Sequence, residues 1–146
     1  MPTEPPIVLM SWGGGGYFDW WMLVHLLGGI TLAYTCRVFG VPFIPALIGV
    51  GVLMIGWEAY EQVAHIAEPW TNSVLDVILG FVGIGLAYSA IPLLDSSGGS
   101  VILAVVLLIV WGGLSFWGWL SWKARVAAGK ETGVEGVVMQ KDEFSQ

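Results

Sequence analysis

The sequence predicts an all-α protein: a four-helix transmembrane bundle in up-down order with short loops. Three observations lead there. Only 11% of the 146 residues are charged and 56% are hydrophobic, with a mean hydropathy of +0.79; a soluble domain is usually about 25% charged. Four apolar stretches are each long enough to cross a hydrocarbon core, which takes ~20 helical residues. Turn-forming residues separate them.

Each element has its own signals. Residues 1–18, with Gly13 to Gly16, read as a flexible N-terminal segment; they lack the basic n-region of a signal peptide and the lysine of a phosphate-binding loop. Span one is expected over 20–38, entered by Asp19 and the Trp20–Trp21 pair as a headgroup-level anchor. Gly40 and Pro42 break it. Span two is expected over 42–67: apolar to Trp57, polar from Glu58 onward, stopped by Pro69. Thr71-Asn72-Ser73 reads as a cap for span three over 73–91, whose Gly80, Gly83 and Gly85 permit close helix approach. Asp95 to Ser100 is a turn. Span four is expected over 101–122, closing in an aromatic belt of Trp117, Trp119 and Trp122. Residues 123–146 read as a polar tail, helical at most in its first part. The transmembrane domain is thus 19–122.

Charge distribution narrows the function classes. Five Lys and Arg cannot form a basic stripe, so nucleic acid is excluded as a partner. One cysteine, Cys36, excludes an internal disulfide and multi-cysteine metal sites. Lys123, Arg125 and Lys130 follow span four, whereas Arg37 alone marks the opposite side. The positive-inside rule therefore places both termini in the cytoplasm, for a multi-pass protein of the inner (plasma) membrane. Membrane lipids are the expected partners, along with other membrane proteins.

Topology gathers the remaining polar residues. His25 in span one, Glu58, Glu61, Gln62 and His65 in span two, and Asn72 and Asp76 in span three fall at similar depth on the side of the termini. Positions 58, 61, 62 and 65 share one helical face. Such a stripe should face protein or water, since exposing it to lipid costs several kcal/mol. Glu58 is the deepest carboxylate. Burial disfavours a charged carboxylate unless a cation or histidine is adjacent, and His25 is placed to be that partner. The donor set His25, Glu58, Glu61, His65 and Asp76 suits a divalent metal ion through oxygen and imidazole ligands. Blander readings stand beside it. His25 can be a hydrogen-bonded core histidine, Glu61, His65 and Glu68 can be interfacial, and Asp76 in the first turn of span three can complement the helix dipole.

The order of these residues carries a resemblance. Asp19, His25 and Gly29 in the first helix, Trp57-Glu58-Ala59-Tyr60-Glu61 in the second, and Asp76, Gly80 and Gly83 in the third resemble the small bacterial membrane proteins of the VanZ-like and YjdF-like group. The pattern covers residues 19–88. It departs from the group in its Asp-to-His gap of six, in Leu26 after the histidine, and in an acidic cluster reduced to Asn72 and Asp76. The resemblance implies a multi-helix membrane protein, with a link to glycopeptide tolerance in one branch.

For function, the residues predict a His/Glu/Asp cluster binding a lipid or lipid-linked headgroup or a metal ion at one interface. His25, Glu58, Glu61 and Asp76 are the catalytic candidates should chemistry occur there, with Glu58 or His25 as general base. The alternative is a non-catalytic accessory subunit in which the same cluster locks helices together. A proton or ion carrier ranks below both, because one membrane half holds nearly all the ionisable groups.

Overall fold

The computed structural model describes residues 8–12, 16–63, 70–91 and 101–127. Among them, four helices are long and apolar enough to cross a membrane: α1 (Trp20–Val38), α2 (Phe43–Val63), α3 (Trp70–Ser89) and α4 (Val101–Ala127). They pack as the expected bundle. The chain is a multi-pass membrane protein.

One feature departs from the expectation of a flexible N-terminus. β1 (Val8–Trp12) and β2 (Gly16–Asp19) pair antiparallel, with Trp12 opposite Gly16 and Ser11 opposite Tyr17. The glycine run suggested flexibility, but strand-forming aromatic and aliphatic residues flank it on both sides, which is a hairpin pattern. β2 lies against α1 and α3, at the end of the bundle where both begin.

Chain chemistry sets the helix ends. Gly40 has φ of 75° and terminates α1. Its N–H donates to the Arg37 carbonyl at 2.9 Å, and the Val41 N–H donates to the Cys36 carbonyl at 3.0 Å. This bond pair satisfies carbonyls that the helix end would orphan, and its left-handed residue favours glycine. Pro45 falls in the first turn of α2, where a missing N–H breaks no helical bond. At the far end of α3 the Tyr88 hydroxyl donates to the Val41 carbonyl at 2.7 Å, tying α3 to the α1–α2 connection.

Some boundaries differ from expectation. α3 begins at Trp70, so Thr71, Asn72 and Ser73 lie inside its first turn rather than before it. Asp76 is consequently in the second turn. α4 continues to Ala127, past the predicted end at 122. At 27 residues it is ~40 Å long, more than a ~30 Å hydrocarbon core, so its Lys123 end projects into the interface. Residues 64–69, including His65 and Glu68, lie outside the described residues, as do 128–146.

Helix α1 is central, touching α2, α3 and α4. Its contact with α3 is the most extensive and is made backbone to backbone. A Cβ on Gly29 would collide with the Gly80 carbonyl, and one on Gly83 with the Leu26 carbonyl. In lipid, where apolar burial adds little between helices, such approach supplies the packing. Helix α4 meets α1 differently. The Trp111 ring fills the space beside Gly28, and the Trp21 ring fills that beside Gly118. Trp20 and Trp117 pack edge to face at 5.6 Å. Residues rise along α1 as they fall along α4, so these two helices are antiparallel. Ala33, Tyr34, Val50, Met54, Ile84, Ala87 and Ala104 form the buried core. Ile48, Val52 and Ile55 on α2 and Ile102, Ile109 and Phe116 on α4 are exposed and face lipid.

Candidate functional site

Three helices deliver one polar group each to the same level. α1 and α3 run parallel with a constant offset, pairing His25 with Asp76 and Gly29 with Gly80. α2 runs antiparallel to α3. Its Met54 side chain packs over Gly80, where an added Cβ would come within 3.2 Å of it, and one turn further along α2 Glu58 reaches the level of Asp76. The glycine contact one turn away holds α1 and α3 close enough for their polar side chains to meet.

His25 sits between two carboxylates. Its Nε2 is 3.0 Å from Glu58 Oε1 and its Nδ1 is 3.4 Å from Asp76 Oδ1. Nδ1 is also 2.9 Å from the Trp21 carbonyl oxygen. A carbonyl only accepts, so Nδ1 carries a proton and donates it. The ring is therefore oriented by a backbone bond, with Nε2 turned to Glu58. His25 is 6% exposed, Glu58 6% and Asp76 0%. Glu58 Oε2 is buried with no hydrogen-bond partner among the described residues. One ligand atom from each of His25, Glu58 and Asp76 lies within 4.8 Å of the others.

Glu61 is also buried, at 8% exposure, and lies one turn nearer the end of α2. Its Oε1 accepts a 2.8 Å hydrogen bond from the Trp57 indole N–H. Neither lysine nor arginine pairs with any of these carboxylates among the described residues. The Lys123 ammonium lies 4.1 Å from the centre of the Trp119 ring. Arg37 is at the other end of α1.

Of the residues predicted from sequence, His25, Glu58 and Asp76 are brought into one cluster, and Glu61 stands beside it. His65 falls outside the described residues. Asn72 is buried in the first turn of α3. The expectation that Asp76 complements a helix dipole changes: fully buried in the second turn, it faces His25 rather than the helix start. Sequence reading missed three contributors. The Trp21 carbonyl leaves no residue-specific signal. Trp57 reads as the end of the apolar part of span two, although its spacing of four from Glu61 permits the bond. Gly29 and Gly80 were noted, but not as the contact that sets the cluster's width.

A groove of about 280 Å³ runs between α2 and α3, lined by Glu58, Ser73, Val74, Val77 and Ile78. Both Glu58 carboxylate oxygens are buried away from it, so Glu58 contributes its aliphatic stem. The groove suits a hydrocarbon chain and does not reach the polar cluster.

No family model matches the chain, and neither a curated protein nor a solved structure matches it.

Proposed function

We propose that this integral membrane protein binds a divalent metal ion at the His25–Glu58–Asp76 cluster. The observation that carries the reading is the convergence of these three side chains, with His25 held by the Trp21 carbonyl in the tautomer that ligation through Nε2 needs. Metal-bound histidines almost always donate their other N–H to a carbonyl or carboxylate. Here Nδ1 donates to the Trp21 carbonyl. Ligands ~2.1 Å from a shared ion stand roughly 3.0–3.4 Å apart, and Nε2 and Glu58 Oε1 are 3.0 Å apart.

Charge supports the same reading. A neutral imidazole with two carboxylates carries two negative charges, which one divalent cation cancels. Leaving them uncancelled inside a membrane bundle costs several kcal/mol. Mixed imidazole and carboxylate donors suit Mn²⁺, Fe²⁺ or Zn²⁺ better than a soft ion. The inward-facing carboxylate oxygens favour an ion over a lipid headgroup as the ligand. Membership of the VanZ-like and YjdF-like group, and an inner-membrane location with cytoplasmic termini, belong to the same proposal. They rest on residue order and on the basic residues after α4.

Elemental analysis of the detergent-purified protein tests the reading. One transition-metal ion per chain is expected in the wild type and none in Glu58→Gln. A wild type that stays metal-free after incubation with Mn²⁺, Fe²⁺ and Zn²⁺ overturns it. The cluster would then be a polar lock between helices, as an accessory subunit requires, and a partner copurifying in fixed ratio would support that role.

A further inference from the structure

We infer that Glu61 is the uptake ligand of the cluster: the carboxylate that meets an incoming cation first, held ready by Trp57, and hands it to Glu58. The inference rests on the metal reading above and assigns Glu61 a role distinct from the three groups that hold the ion.

Four observations lead to it. Position comes first: Glu61 lies three residues beyond Glu58 toward the end of α2, or ~4.5 Å along the axis. It is the last residue of the apolar window that spans the membrane. An ion arriving from that surface passes Glu61 before Glu58. Charge comes second. His25, Glu58 and Asp76 already balance a divalent cation, so a third buried carboxylate is surplus to the holding site. Third, its hydrogen bond among the described residues comes from a neutral donor. The Trp57 indole steadies one oxygen at 2.8 Å without cancelling the negative charge. A lysine or arginine there would have neutralised it, and none pairs with it among the described residues. Fourth, Trp57 is 48% exposed on the outer face of the bundle, so the donor can swing away without unpacking the core.

The sequence of events follows from electrostatics. A cation near the end of α2 is drawn to the Glu61 carboxylate. Coordinating it competes with the indole N–H for the same oxygen, and the Trp57 bond breaks. Glu58, one turn deeper and with an Oε2 that has no hydrogen-bond partner among the described residues, takes the ion next. Once the ion sits with His25, Glu58 and Asp76, Glu61 returns to Trp57. No bond to carbon forms or breaks, and no electron moves.

Trp57 makes the step visible. Full-length, chelator-stripped protein in detergent is mixed with Mn²⁺. Tryptophan fluorescence is followed by stopped flow, and bound Mn²⁺ is counted by electron paramagnetic resonance after rapid freezing. In the wild type a fluorescence change that Trp57→Phe abolishes should precede capture of the ion. Glu61→Gln should still bind one Mn²⁺ per chain, with association and dissociation both slowed about tenfold, the lower end of what electrostatic steering supplies. Glu61→Asp, which keeps the charge, should recover most of the rate. Equal rates in the wild type and Glu61→Gln overturn the inference while leaving the metal site standing. So does loss of Mn²⁺ stoichiometry in a folded Glu61→Gln, which would make Glu61 a holding ligand. If Glu61→Gln does not fold, the order of the two wild-type phases decides: simultaneous phases overturn the inference. A wild type that takes up no Mn²⁺, Fe²⁺ or Zn²⁺ removes the metal reading itself.

Discussion

His25 is held from three directions, by the Trp21 carbonyl, Asp76 and Glu58. Removing it takes the imidazole away from two buried carboxylates. Breaking a buried pair in this way costs about 3–5 kcal/mol, whereas replacing the whole pair by apolar groups is often neutral. His25→Ala should therefore lower unfolding free energy, measured by denaturation from lipid–detergent micelles into dodecyl sulfate, by an amount in that range. The double variant His25→Leu with Glu58→Leu should lose clearly less than the sum of the single changes, because the two sites touch. An additive result would show that the 3.0 Å contact carries no coupling. Residue identities made the cluster legible: scarce ionisable side chains in apolar helices mark themselves. Which oxygen meets which nitrogen was not legible, since it depends on ring orientation set by a backbone carbonyl.

At the scale of elements, the α1–α3 contact is the one on which the site depends. Gly29, Gly80 and Gly83 remove the side chains that would hold the two backbones apart. Gly29→Ala and Gly83→Ala each drive a methyl into a carbonyl of the other helix. Overpacking of this kind costs about 1–3 kcal/mol. Both variants should be destabilised by at least that much, and should widen the gap between His25 and Asp76 enough to lower Mn²⁺ affinity about tenfold or more, the range in which disturbed metal surroundings act. Gly85→Ala is the control. Nothing lies within 4 Å of its added methyl, and alanine is the better helix former by about 1 kcal/mol, so its stability should hold or rise. Equal losses in all three would mean that the close approach is not what the glycines provide. The sequence named these glycines as small residues. Only the helix offset, which pairs position 29 with position 80, shows which of them are in contact.

For the whole molecule, four crossings place the start of α1 and the end of α4 on one side, with the cluster nearer that side. In a Cys36→Ser background, a single cysteine replacing Lys123 and another replacing Val41 should react with an impermeant maleimide from opposite faces of sealed vesicles. Lys123→Cys is expected to label from the cytoplasmic face, where the basic residues after α4 place it. Labelling of both from the same face would refute the up-down order. Labelling on the reversed faces would keep the order and invert the orientation.

The amino-acid sequence by itself determined the solvent, the number of crossings and the depth of the polar groups. Those follow from local composition: ~20 apolar residues make a span, glycine and proline end it, and an ionisable residue in the span must turn inward. Tertiary structure decided the rest. Parallel packing of α1 on α3 brings His25 to Asp76, and antiparallel packing of α2 adds Glu58. The N-terminal hairpin, the second-turn position of Asp76 and the Trp57–Glu61 bond also emerged only there. Such features depend on helix offset and rotation, which arise from side chains meeting across elements, and no single stretch of the chain encodes a meeting between two.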